Sequence, residues 1–195
     1  MLLLVGSDGA VNQQFQKLKE LLPELTAKCG ECIVITIDGP AGSGKTTLAN
    51  ALSQTLDSHY TIHMDDLYEG WDSTFTPKLT SKLCAVLKGV ETENRIRFTP
   101  FSWLESKFSP VVELSPPKYL IIEGVGSGQS ALKDWISLAL WIEVLPEIGL
   151  ERVIKRDGPG VAQFMPAFLV AQNIHFEKEA TKKSADYRLS GLGTV

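Results

Sequence analysis

The chain has 195 residues, 44% of them hydrophobic and 22% charged, with a formal net charge of −4. It is long enough to bury one sizeable core, and it lacks the Lys/Arg-rich stripe that phosphate-backbone binding requires, so nucleic acid is not an expected partner. No run reaches the roughly 18 apolar residues of a membrane helix, and the opening "MLLLVG" lacks the basic flank and length of an export signal; a cytoplasmic protein with a small-molecule partner and no membrane attachment is expected.

Between about 12 and 28, Phe15, Leu18, Leu21, Leu22 and Leu25 recur at three- and four-residue steps, which predicts an amphipathic N-terminal helix with Pro23 near its end. Cys29 and Cys32 follow as a C-x-x-C. A redox pair of that type opens a helix after a strand, whereas this one follows a helix and precedes a strand. No further ligands stand nearby for zinc, so the cysteines read as reduced thiols without a site. "CIVITID" is then a short, β-branched apolar run, as expected of a parallel strand covered on both faces. After a glycine-rich turn, Leu48, Leu52 and Leu56 mark a helix.

The alternation continues with a strand at "YTIHM", a helix over Pro77–Leu87, a buried strand at "KYLIIEG" and a helix over Ser130–Ser137. A strand at "LALWIEV", a helix in "PEIGLERVIKRDG" and a short strand at "ADYRLSG" complete the series. Strands alternating with helices predict a three-layer, doubly wound α/β fold with a mainly parallel sheet, whose ligands bind at the carboxyl ends of the strands. One domain over 1–195 is expected. The segment from about 69 to 117 reads as irregular, and its Trp71, Phe98, Phe101, Trp103 and Phe108 suit either a substrate cover or plain packing.

The glycine-rich turn carries the strongest chemical signal. "GPAGSGKTT", Gly39, Pro40, Ala41, Gly42, Ser43, Gly44, Lys45, Thr46 and Thr47, satisfies the phosphate-loop pattern of a glycine, four residues and G-K-[S/T], between a strand and a helix. Side-chain-poor residues let successive backbone N–H groups converge on phosphate oxygens, and the helix adds its positive end. Lys45 is expected to reach the β- and γ-phosphates, and the Thr46 hydroxyl to ligate Mg²⁺.

Three further positions complete the expected site. Glu123 ends a buried strand, where it either positions the metal or faces solvent. Asp65 and Asp66 follow "YTIHM"; a carboxylate there can accept the proton of an acceptor hydroxyl or cap the next turn, and Asp65 is read as the base and Asp66 as a cap. Arg152 and Arg156 stand four apart on one helix face, either as phosphoryl-stabilising arginines of a lid over about 152–165 or as a solvated, dipole-favoured helix end. Arg95 and Arg97 suit ordinary exposed cations or contacts to an anionic substrate, and His59, His63 and His175 read as structural. No N-K-x-D guanine signature is present.

"GPAGSGKTT", "MDDLY", "IIEG", "RVIKRD" and "HFEKEATKKSADY" occur in the order and approximate spacing of the uridine kinase-like branch of phosphate-loop nucleoside and metabolite kinases, which the chain resembles over most of Ile33 to Tyr187. The resemblance implies a P-loop NTPase fold, ATP and Mg²⁺ as cofactors, and transfer of the γ-phosphoryl group to a hydroxyl of a small metabolite, a nucleoside among the candidates. It implies Asp65 as base, Glu123 near the metal, an arginine-bearing lid, Tyr68 and Trp103 at the substrate, and Thr181–Asp186 bordering the adenine. Where uridine kinases carry a tyrosine, aspartate, aromatic triplet, the nearest stretch is "FSW", Phe101 to Trp103. Ser102 there cannot supply a charged acceptor. "LYEGW", Leu67 to Trp71, is more similar to uncharacterised bacterial relatives than to authentic uridine kinases. A nucleotide-dependent ATPase or switch, or a kinase-like scaffold without turnover, is the competing expectation.

Overall fold

The computed structural model describes residues 9–191, with backbone alone for 9–12 and for 72; the opening "MLLLVG" lies outside the described residues. Five strands form the central sheet: β1 (Ile33–Asp38), β2 (His59–His63), β3 (Tyr119–Glu123), β4 (Ile136–Glu143) and β5 (Tyr187–Ser190). Their spatial order is β2-β3-β1-β4-β5, and every neighbouring pair is parallel. The helices are α1 (Gly9–Leu21), α2 (Lys45–Ser53), α3 (Pro77–Glu93), α4 (Pro146–Asp157), α5 (Met165–Glu179) and the short α6 (Thr181–Ser184).

Alternation along the central strands builds the layers. Ile33, Ile35 and Ile37 of β1 pack with Tyr119 and Ile121 of β3 against Leu18 of α1 and Leu48 and Leu52 of α2. Val34, Leu120 and Ile122 point the other way, onto Leu79, Leu83, Val86, Leu87 and Val90 of α3. Helices therefore cover both faces of one parallel sheet, the doubly wound α/β fold expected from the sequence. The register of β4 slips between Val34 and Ile35, so that Ile136 joins the α3 face while Leu138 joins the other. A bulge with its extra residue at Ser137 accounts for both facts.

Several boundaries differ from the sequence reading. α1 ends at Leu21 and gives way to a 3-10 turn at Leu22–Glu24, because Pro23 cannot continue the hydrogen-bond ladder. Instead of a helix over Ser130–Ser137 there is one 3-10 turn at Ser130–Leu132, and β4 begins at Ile136. The pairing of that segment with β1 outweighs its weak helical pattern. α3 runs on to Glu93 and ends at Asn94 in the left-handed conformation. The stretch 69–117 comprises a 3-10 turn at Trp71–Ser73, α3 and two small antiparallel ribbons, Ile96–Phe98 with Val112–Leu114 and Phe101–Ser102 with Lys107–Phe108.

Cys29 and Cys32 form an antiparallel bridge around Gly30, both buried, with the Cys29 thiol donating to the Leu87 carbonyl at 3.2 Å. Burial pushes their thiols up to about 12 and about 11, which leaves them unreactive as nucleophiles. No described helix is long and apolar enough to cross a membrane.

The contact between α3 and the sheet sets a stability test. Leu83 is 0% exposed within that layer. Leu83→Ala is expected to lower unfolding free energy by about 2–5 kcal/mol, read from the urea midpoint at unchanged slope.

Candidate functional site

The loop from β1 to α2 occupies the carboxyl edge of the sheet. Gly39, Gly42 and Gly44 have φ of 145°, 72° and 97°, and α2 begins at Lys45. A Cβ on Gly42 would lie 2.1 Å from the Gly149 carbonyl oxygen of α4, so the loop needs glycine both for its left-handed turn and for its backbone contact with that helix. Lys45 is buried, and its ammonium donates to the carbonyls of Gly39 at 2.9 Å and Pro40 at 2.8 Å. Burial lowers its pKa, against the opposing pull of Asp38, Glu123 and Asp65.

Asp38, the last residue of β1, was not singled out by its sequence. Its carboxylate is 2% exposed and accepts three backbone N–H groups, from Gly39 at 2.7 Å and from Gly126 and Gly128 at 3.0 Å each. It thus ties the phosphate-loop pattern to the "GVGSG" turn that follows β3. Burial is the larger influence and carries its pKa from the ordinary 3.8 up to about 6, despite those hydrogen bonds.

β3 lies beside β1 and ends at Glu123, whose Oε1 accepts the Thr46 hydroxyl at 3.0 Å. Two hard oxygen donors at the N-terminal end of α2 suit Mg²⁺, which takes one or two protein oxygens and completes its octahedron with water and phosphate. Among the described residues no group of three or more His, Cys, Asp or Glu forms a closed cage. His63, read from the sequence as structural, stands opposite Glu123 in register and places Nδ1 2.5 Å from the same oxygen, which raises the imidazole pKa. Its position depends on the pairing of β2 with β3, which no local pattern announces.

Asp65 follows β2 in the 3-10 turn Met64–Asp66, whose N-cap residue is His63, without a side-chain cap bond. The Asp65 carboxylate opens onto a cavity of about 660 Å³, and the surrounding protein raises its pKa, with Lys45 opposing. The Trp103 indole donates to the Asp65 carbonyl at 2.7 Å, and the buried Tyr68 hydroxyl donates to the Val125 carbonyl at 2.5 Å. Thus Lys45, Thr46, Asp65, Tyr68, Trp103 and Glu123 all line one cavity.

Arg152 and Arg156 line it too, in different ways. Arg152 donates to the carbonyls of Gly42 at 3.3 Å and Gly191 at 2.9 Å, clamping the glycine loop to the end of β5. Arg156 forms a two-pronged pair with Asp157, 2.7 Å on each arm, which raises its pKa. Thr181–Asp186 contribute no wall to this cavity. Arg95 and Arg97 are engaged with Glu93 and Glu113 on the Ile96–Phe98 ribbon, again away from it.

A second unanticipated contributor is α5. Its inward face carries Phe168, Gln172, His175 and Glu179 rather than a run of aliphatics, which is why helical periodicity did not reveal it. Gln172 is 2% exposed and its Oε1 accepts the Ala41 N–H at 2.8 Å. Trp71 stacks on Phe164 at 5.0 Å and meets Phe168 edge to face, joining the 69–117 segment to the start of α5.

No family model matches the chain. It is similar to the urease accessory protein UreG of Mycobacteroides abscessus, with 26% identity over 160 residues that cover 79% of this chain and 67% of that protein. It is similar to the uridine kinase of Escherichia coli K12, with 25% identity over 153 residues, 68% of this chain and 72% of that enzyme. A shorter match, 37% over 79 residues, joins 40% of the chain to 33% of a Chlamydia trachomatis cytidylate kinase. Among solved structures, one described as a "possible uridine kinase" from Bacillus stearothermophilus superposes with a TM-score of 0.67 over 92% of this chain and 99% of that one, at 23% identity. The fold is that of phosphate-loop kinases, and the likeness to their uridine kinase-like branch, first drawn from the motifs, is borne out.

Asp38 generates a pH-dependent test. Its raised folded-state pKa favours the folded chain at acid pH; the contribution is fully present below about 4 and lost as pH rises through about 6. The stability of the wild type relative to Asp38→Asn is therefore expected to decline by on the order of 2–3 kcal/mol between pH 4 and 6.5, then level off. Urea unfolding across that range measures it, and a flat difference would contradict the assignment.

Proposed function

We propose that this chain is a phosphotransferase that uses ATP and Mg²⁺ to phosphorylate a hydroxyl of a small metabolite, with nucleosides among the candidate acceptors. One observation carries the reading: the glycine loop with Lys45 and Thr46, the β3 carboxylate Glu123 and the post-β2 carboxylate Asp65 border a single cavity at the carboxyl edge of the sheet. The similarity to kinases supports it, and the reading carries with it a cytoplasmic setting in which ATP is available.

In this reading the glycine-loop amides and the N-terminal end of α2 hold the triphosphate, and Lys45 neutralises its β- and γ-oxygens. Thr46 and Glu123 would hold Mg²⁺, which when bound would supply charge neutralisation at the phosphates. The acceptor oxygen forms a bond to the γ-phosphorus as the bond to the β-phosphate oxygen breaks, ADP departs, and Asp65 takes the acceptor's proton. A carboxylate whose pKa is raised by its surroundings is a stronger base for that task. Arg156 stabilises the migrating group from the lid side, while Arg152 fixes the loop that receives the nucleotide.

Asp65→Asn is expected to lower acceptor-dependent ADP formation by about 10²–10⁴-fold while MgATP binding by calorimetry stays within about two-fold. Lys45→Ala should weaken both. The match to a urease accessory protein favours a second reading, a nucleotide-dependent switch. Nucleotide hydrolysis that needs no acceptor and survives Asp65→Asn would select that reading instead.

A further inference from the structure

His63 stands at the edge of the site without entering it. It is the last residue of β2 and does not line the cavity, whereas Asp65, two residues on, does. β3 lies between β2 and β1 in the sheet, and the parallel register sets His63 beside Glu123 at the common carboxyl edge. Its Nδ1 lies 2.5 Å from Glu123 Oε1. An ionised carboxylate only accepts, so Nδ1 carries the proton of that bond.

Glu123 Oε1 thereby receives two donors from the elements that flank it, His63 at the end of β2 and the Thr46 hydroxyl, at 3.0 Å, at the start of α2. The Thr46 proton is directed at Glu123, which leaves the hydroxyl lone pairs for a cation. Among the described residues no hydrogen bond occupies Oε2, the second oxygen of a side chain that lines the cavity. A glutamate at a strand end has several side-chain torsions, the last of them broad, so the strand alone does not set the plane of its carboxylate. One donor would let the group pivot about that contact; a second removes the freedom. The His63 side chain is 39% exposed, and exposed pairs of this kind contribute little to stability, so orientation is what the contact supplies. Carboxylates that ligate metals are themselves hydrogen-bonded, and loss of such a partner lowers metal affinity by about 10–100-fold.

We infer that His63 is a positioning residue for a divalent cation: through Nδ1 it fixes the Glu123 carboxylate against Thr46, with Oε2 left for the metal. This role rests on the assignment of Mg²⁺ to Thr46 and Glu123 in the kinase reading above. His63 touches neither nucleotide nor acceptor in it and acts through Glu123.

The test uses the intact chain with a non-hydrolysable ATP analogue and Mn²⁺, whose free concentration is read by electron paramagnetic resonance, alongside calorimetry of the same nucleotide in EDTA. His63→Phe and His63→Ala, which lack the donor, are expected to weaken Mn²⁺ binding to the nucleotide complex by about 10–100-fold, while metal-free nucleotide affinity stays within about two-fold. His63→Asn, whose side-chain amide N–H stands in for Nδ1–H, should recover most of the loss. In a Glu123→Ala background His63→Phe should weaken Mn²⁺ binding no further. Urea midpoints are expected to stay at the wild-type value throughout the His63 series. Metal binding unchanged in both variants without the donor, a loss that His63→Asn fails to recover, or a loss matched by a fall in the urea midpoint overturns the inference and leaves the kinase reading standing. A wild-type nucleotide complex that takes up no Mn²⁺ removes the metal assignment, and the role of His63 with it.

Discussion

The buried carboxylate of Asp38 holds two loops in register. It accepts amides from the start of the glycine loop and from the turn after β3, and both loops line the same cavity. A carboxylate in such a position is costly to desolvate, and three charge-assisted hydrogen bonds offset much of that cost. With it in place, Glu123 at the end of β3 falls within 3.0 Å of the Thr46 hydroxyl at the start of α2. The placement of these two oxygens thus follows from the adjacency of β1 and β3.

α5 closes the arrangement from the opposite side. Its polar inward residues serve the loops in turn: Gln172 accepts from Ala41, His175 packs against Phe75 at 5.0 Å and borders Gly126, and Glu179 accepts from Ser130 N–H at 3.0 Å. Most helices are held to a sheet by aliphatic side chains. This one adds hydrogen bonds from loop backbone to Gln172 and Glu179, so its position is linked to the conformation of the glycine loop. Trp71, stacked on Phe164, extends that linkage to the aromatic wall of the cavity.

Polar and aromatic surfaces are separated within the cavity. Charge gathers where the sheet edge meets the N-terminal end of α2, and rings gather where the 69–117 segment meets the beginning of α5. Arg95 and Arg97, which suited either ordinary exposed cations or contacts to an anionic ligand in sequence, are paired with Glu93 and Glu113.

How much was legible follows from where each function resides. The glycine loop is a contiguous backbone device, so spacing alone located Gly39 to Thr47, and the apolar runs before Glu123 and Asp65 placed both carboxylates at strand ends. Parallel strands buried on both faces announce themselves by composition, which is why the sheet and its layers were readable from the chain. The roles of Asp38, His63 and Gln172 were not, because their partners are distant in sequence: Asp38 meets Gly126 across 88 positions, and Gln172 meets Ala41 across 131. Local pattern determines which segments extend and which coil. Only the strand order β2-β3-β1-β4-β5 decides which strand ends become neighbours, since hydrogen bonds across a sheet are indifferent to separation along the chain.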